Sequence, residues 1–111
     1  MKKNEIIKDR LEEWVESKGF LNSRFTIIEL CKIIGINRTY LSNYINNTYG
    51  LNFNLWINHL RIEEAKQLMG QTPKRSLSEI AERIGFTDLA HFNKQFKLQE
   101  GVSPSEWRKN M

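Results

Sequence analysis

The most constraining feature of this sequence is an internal repeat. Residues 26–35 and 76–85 align at an offset of 50, and both run from a hydroxyl residue through glutamate and spaced apolar residues to a glycine. After one inserted residue the alignment continues at an offset of 51, which pairs Gly50 with Gly101 and Trp56 with Trp107. Two copies are too few for a solenoid, which needs at least three stacked units. We therefore expect two similar small modules.

Each copy of the repeat has the pattern of two helices joined by a tight turn. Thr26 and Ser76 begin capping boxes with the glutamates three residues later, and a glycine then ends each first helix. Asn37 and Asp88 are suitable N-caps for a second helix, which again closes at a glycine. Helix, short turn and second helix make the helix-turn-helix pattern, found here twice.

The segments outside the two copies also have helical spacing. Residues 52–69 place apolar side chains at steps of three and four, which predicts one long linking helix. Residues 4–18 predict a helix ahead of the first copy, and Ser103 begins a short last helix. The sequence therefore predicts an all-α fold of about seven helices without strands. We divide it into a leader and packing helix (1–24), a first helix-turn-helix (25–51), a linking helix (52–70) and a second helix-turn-helix with a C-terminal helix (71–111).

Composition excludes several classes of function. The net charge of +4 permits a nucleic-acid partner, but residues 1–24 already mix six basic with five acidic side chains, so there is no basic tail. The single cysteine, Cys31, can form neither an internal disulfide nor a cysteine-based zinc site, which favours a reduced, cytoplasmic setting. His59 and His91 have no partners at ligand spacing, and no catalytic set or phosphate loop is present. We expect no metal, no cofactor, no membrane span and no enzymatic activity.

The second helix of each copy has one face that the core does not need. In the first copy this face is polar and almost uncharged, and in the second it combines apolar with basic and amide groups. Asn can bind adenine bidentately, Arg can bind guanine, and apolar side chains can meet the thymine methyl. The face consists of Arg38, Thr39, Ser42, Asn43 and Asn46 in the first copy, and of Leu89, Ala90, Asn93, Lys94 and Lys97 in the second.

Several motifs together resemble the AraC/XylS family of transcription regulators, in their C-terminal DNA-binding domain. The resemblance covers about residues 25–108 and rests on segments 80–88, 92–97 and 101–108 in the second copy and 40–42, 50–53 and 61–65 in and after the first. It implies seven helices, two helix-turn-helix subdomains and a linking helix. It also implies base contacts by Thr39, Ser42, Asn43, Leu89, Ala90, Asn93 and Lys94, and phosphate contacts by Arg38, Lys97 and the N-terminal ends of the supporting helices. We add Asn46 to the phosphate contacts.

The resulting hypothesis is a sequence-specific double-stranded DNA-binding domain that reads two adjacent major grooves. We expect it to be the C-terminal piece of a longer regulator whose effector or dimerisation domain is absent from this chain. The alternative within this class is a complete, stand-alone small regulator. A rival hypothesis is a protein-interaction module that applies the Leu89 face to a partner such as RNA polymerase. RNA binding is a weaker alternative, because no single-strand stacking module is present.

Four further residue types have structural interpretations. Arg61 is expected to be structural, with an exposed pair to Glu64 as the alternative. Cys31 is expected to be a small buried hydrophobe, and His91 to pack or to contact phosphate rather than to catalyse. The three tryptophans are interpreted as core anchors: Trp14, Trp56 and Trp107.

Overall fold

Seven α-helices and one 3-10 turn make up residues 2–111, the part of the chain that this computed structural model describes. No strand occurs in that part, so the predicted all-α fold of about seven helices is confirmed. The 3-10 turn, Gly19–Leu21, was not predicted. The helices are α1 Lys3–Glu16, α2 Ile27–Ile34, α3 Arg38–Tyr49, α4 Phe53–Met69, α5 Leu77–Arg83, α6 Leu89–Glu100 and α7 Pro104–Lys109.

The predicted capping boxes are half correct. The Thr26 hydroxyl accepts a hydrogen bond from the Glu29 backbone N–H at 3.2 Å, and the Ser76 hydroxyl accepts one from Glu79 at 3.1 Å. The reciprocal bond from each carboxylate to the N-cap backbone is not formed. Glu29 instead accepts from the Thr26 hydroxyl, and Glu79 pairs with Arg83 one turn later at 3.6 Å. A cation at i+4 offers the carboxylate a charged partner on the exposed helix face.

The apolar side chains form two clusters, and the linking helix α4 contributes to both. Trp56 and Ile57 belong to the first cluster, with residues of α1, α2 and α3. Ile62 and Ala65, farther along α4, belong to the second cluster, with residues of α5 and α6. Leu21 of the 3-10 turn packs against both clusters. The linking helix and the leader therefore hold the two helix-turn-helix units together.

Arg61 of α4 is the buried charged residue of the described chain, at 8% exposure. Its Nε donates to the Phe20 carbonyl at 2.8 Å, and its Nη2 donates to the Asn22 carbonyl at 2.9 Å. The structural interpretation is confirmed, and the alternative pair with Glu64 is wrong. Glu64 instead accepts from Lys18 Nζ at 2.8 Å, because the leader brings a closer cation to it.

The remaining aromatic, histidine and cysteine predictions concern packing. Trp14 and Trp56 are buried, with ring centroids 5.9 Å apart, and the half-buried Trp107 packs edge-on against Phe96. Their interpretation as core anchors is confirmed. Cys31 is buried as expected. His91 is exposed, and its ring meets the Phe86 ring edge-on with centroids 5.0 Å apart, a contact that agrees with the packing alternative. None of the helices in residues 2–111 is long and apolar enough to cross a membrane.

Candidate nucleic-acid interface

The first recognition helix, α3, is fixed at both ends and along one side. The Asn37 side chain accepts from the Tyr40 N–H at 2.8 Å, and Gly50 ends the helix in the left-handed conformation. Leu41 and Ile45 are fully buried. The predicted contact residues occupy the other side of α3. Four of them are exposed and Ser42 is half-buried: Arg38, Thr39, Ser42, Asn43 and Asn46.

The second recognition helix, α6, repeats this arrangement. The Asp88 carboxylate accepts from the His91 N–H at 2.7 Å, and Phe92 and Phe96 are fully buried. Leu89 is 37% exposed, a large apolar side chain left at the surface of the first turn. All five predicted contact residues of this helix are exposed: Leu89, Ala90, Asn93, Lys94 and Lys97.

One of the ten predicted side chains is engaged within its own helix. The Asn46 amide donates to the Ser42 backbone carbonyl at 3.1 Å, one turn earlier. Leu89 and Ala90 are apolar. Within residues 2–111 the other seven make no intramolecular side-chain hydrogen bond or ion pair. Their polar groups are therefore available to an external partner.

A concave surface beside α3 gathers two helix N-termini. It is lined by the caps and first turns of α2 and α4, together with Arg38 and Ser42 of α3. The first backbone N–H groups of a helix lack intrahelical acceptors and carry partial positive charge, which suits an anion such as phosphate. The resemblance to the AraC/XylS family implied phosphate contacts at the N-terminal ends of supporting helices. The convergence of α2 and α4 on one concavity is visible only in three dimensions.

A second concavity lies at the N-terminus of α6. It is lined by Leu89 and Thr87, by Glu82 of α5, and by Arg24 of the leader. Arg24 was not predicted as a site residue. No local pattern marks it, because the leader reaches α6 through tertiary packing rather than through sequence spacing.

The overall dimensions suit two separate reading helices. The described chain measures 46 × 25 × 23 Å. The 17 residues of α4 form a rod of roughly 26 Å at 1.5 Å per residue, and it joins the two units along the molecule. Recognition helices of paired helix-turn-helix units enter major grooves about 34 Å apart. A molecule 46 Å long has room for that separation.

Comparison with known proteins agrees with this arrangement. Residues 30–110 match a family described as "Helix-turn-helix domain". The raffinose operon transcriptional regulatory protein RafR of Pediococcus pentosaceus is 34% identical over 86 residues, which cover 78% of this chain and 31% of that protein. The chain spans about a third of the length of the first curated relatives that it matches.

Solved structures include two domains of similar size and fold. The C-terminal domain of the two-component response regulator yesN from Fusobacterium nucleatum has a TM-score of 0.78 and 29% identity, and the match covers 91% of this chain and 96% of that one. The C-terminal domain of AraT, a response regulator from Geobacillus stearothermophilus, has a TM-score of 0.81 and 26% identity over 96% and 85% of the two chains. The chain belongs to the AraC/XylS family of transcriptional regulators, and it carries the helix-turn-helix DNA-binding domain of that family.

Proposed function

We propose that this domain binds double-stranded DNA sequence-specifically, with α3 and α6 in two successive major grooves, and so regulates transcription in the cytoplasm. The observation that carries the proposal is the matched exposure on the two recognition helices. Each buries two apolar residues fully and leaves five contact residues on its other side, four or more of them exposed. Two such helices on one elongated domain form a bipartite reader.

The first helix supplies most of the hydrogen-bonding specificity. Asn43 is exposed in the middle of α3, and its amide can bind adenine N6 and N7 together. Thr39 and Ser42 can bond to several base edges from the same side of the helix. Arg38 lies beside the concavity formed by the N-termini of α2 and α4, which supports a phosphate role. One N–H of the Asn46 amide is held by its own helix, which leaves the second N–H to donate to a phosphate.

The second helix combines apolar with polar readout. Leu89 and Ala90 present apolar surface in the first turn of α6, where thymine methyl groups would lie. Asn93 and Lys94, one turn later, can bond to base edges. Lys97 follows at the next turn and is assigned to phosphate, since a flexible ammonium serves as a point charge for the DNA backbone.

Selection of binding sites from random duplex DNA tests the bipartite reader. We expect two conserved sub-sites with centres about 10 base pairs apart, one helical turn of B-DNA. If no sequence is enriched, the proposal is wrong. A single enriched sub-site would contradict the use of two successive grooves.

Substitutions then separate base contacts from phosphate contacts on the selected duplex. Asn43→Ala should cost about 1–3 kcal/mol of binding and relax specificity at one base position. Lys97→Ala should weaken binding to all sequences and reduce the salt slope by about 1. Gln67→Ala, an exposed residue of α4 outside the predicted contact set, is the control and should leave both properties unchanged.

The rival protein-interaction hypothesis makes the opposite prediction. A module that docked Leu89 on RNA polymerase would lose this partner in Leu89→Asp and keep it in Asn43→Ala. Pull-down of purified RNA polymerase by the two variants, without DNA, distinguishes the hypotheses. Retention of polymerase by wild type and Asn43→Ala, with loss in Leu89→Asp, would support the rival.

A further inference from the structure

We propose that the first turn of α1 forms an additional phosphate-binding site on the DNA, carried by Lys2 and Lys3 beside the first recognition helix. The site rests on the proposed function, because it extends the surface that α3 presents to the major groove. The predicted contact set contains no residue of α1.

Two contacts hold the start of α1 against α3. The Tyr40 hydroxyl donates a hydrogen bond to the Asn4 side-chain oxygen at 2.7 Å, across 36 residues of sequence. The Lys3 ammonium lies 4.1 Å from the centroid of the Tyr40 ring. Tyr40 belongs to the first turn of α3, next to Thr39. The first turn of α1 is therefore fixed at the reading end of the recognition helix.

The surface between the first turn of α1 and α3 is continuous with the face of α3 that is assigned to base contacts. A shallow notch between the two helices is lined by Asn4, Tyr40, Asn43, Tyr44, Asn47 and Thr48. Asn43 therefore belongs both to the notch and to the predicted base-contacting face. A helix that lies in a major groove has a phosphate backbone along each side, and phosphate contacts from flanking groups set its register. The N-terminus of α1 occupies one of those sides.

The charge of this region is complementary to DNA. Lys2 and Lys3 are exposed, and neither forms an ion pair in the described chain. The α3 side chains that line the notch are all uncharged. On α1 itself the acidic residue of the first turn is Glu5, while Asp9, Glu12, Glu13 and Glu16 lie in the later turns. The Asn4–Tyr40 hydrogen bond keeps the first turn of α1 in place when the Lys3 ammonium leaves the ring, and an exposed cation–π contact is weak. Lys3 can therefore reach a phosphate.

The salt dependence of binding to the selected duplex tests the site. Lys3→Ala should reduce the slope of log K against log salt by about 1, and Lys2→Ala combined with Lys3→Ala by about 2. Lys8→Ala is the matched control, since it removes the same charge from the same helix, where Lys8 pairs with Glu12 at 3.4 Å. Its slope should equal that of the wild type. Lys3→Arg keeps the charge and should keep the slope.

Phosphate-ethylation interference gives the position of the contact. In the wild type we expect interference at a phosphate bordering the sub-site read by α3, and Lys3→Ala should abolish it. Circular dichroism verifies that α1 remains folded in each variant.

The outcome that excludes the α1 site differs from the outcome that excludes sequence-specific DNA binding. If Lys3→Ala and Lys8→Ala have the same salt slope while Asn43→Ala still loses specificity, the site on α1 is wrong and the groove assignment stands. If wild-type protein selects no DNA sequence, the proposed function fails and the site fails with it.

Discussion

The Nε of Arg61 donates a hydrogen bond of 2.8 Å to the carbonyl oxygen of Phe20, although 41 residues separate them in the sequence. A second bond joins the Arg61 guanidinium to the Asn22 carbonyl. Burial lowers the pKa of Arg61, and backbone carbonyls rather than a carboxylate accept its hydrogen bonds. The guanidinium thus fastens the leader to the linking helix.

Replacing Arg61 with alanine should destabilise the domain by about 2–4 kcal/mol. The substitution removes two charge-assisted hydrogen bonds and leaves the buried carbonyl of Phe20 without its donor. Lys18→Ala is the control, because the Lys18–Glu64 pair joins the same two segments through a lysine side chain that is 53% exposed, and it should contribute less, about 1 kcal/mol. Urea unfolding monitored by tryptophan fluorescence measures both. Equal losses in the two variants would contradict the role of Arg61.

Two glycines with positive φ should respond differently to alanine. Gly85 has a φ of +93°, and an added Cβ would lie 2.7 Å from the Leu21 carbonyl oxygen. Gly50 has a φ of +69° but no atom within 4 Å of such a Cβ. Gly50→Ala should therefore cost about 1–2 kcal/mol, the left-handed penalty alone. Gly85→Ala should cost more, because the leader must also move away. Thermal unfolding measures the loss of stability in both variants. A larger loss in Gly50→Ala than in Gly85→Ala would contradict the close approach of Gly85 to the Leu21 carbonyl oxygen.

Lys66 should make the domain sensitive to high pH. Burial lowers its pKa, but hydrogen bonds to Glu63 and Glu100 and the negative charges of these two residues together outweigh burial and raise the pKa above its ordinary 10.5. A group whose pKa is raised by folding stabilises fully below its unfolded pKa and loses that contribution as the pH rises through its folded pKa. Stability should therefore fall above about pH 10.5.

Lys66→Met isolates this effect. The pKa of Tyr49 is also raised, mainly by burial and further by Tyr44 and Glu12, so its contribution to the stability of the domain is lost in the same pH range. This loss is the same in the wild type and in Lys66→Met. The midpoint of urea unfolding should drop less between about pH 8 and about pH 11 in Lys66→Met than in the wild type. Identical drops would mean that the Lys66 pairs contribute nothing that depends on pH.

Leu89 should read a thymine methyl group on the selected duplex. Replacing one thymine by deoxyuridine removes only the methyl, and at the correct position it should weaken wild-type binding by about 1 kcal/mol, close to the value of one buried methylene. Leu89→Ala should weaken binding too, and the deoxyuridine effect should vanish in that variant, since the contact is already lost. Fluorescence anisotropy with the four combinations measures the coupling. If the effects of Leu89→Ala and of deoxyuridine on binding are additive, Leu89 does not contact the methyl group directly.

The helices and their exposed faces could be predicted because the signals are local. Asn37 and Asp88 cap α3 and α6 as expected, and Gly50 and Gly101 end them. The capping boxes were half wrong because each carboxylate has a competing partner. Glu79 pairs with Arg83, and Glu29 accepts from the Thr26 hydroxyl, so neither carboxylate bonds to the N-cap backbone.

The sequence alone determined the seven helices, their duplication and the residues left exposed on α3 and α6, because each depends on spacings of three or four residues within one helix. Only the tertiary structure decided that Arg61 would bond to Phe20 and that Lys3 would lie over Tyr40. These contacts join residues far apart in the chain. Their distances depend on how α1 and the leader pack against α3 and α4, and no local periodicity encodes that packing.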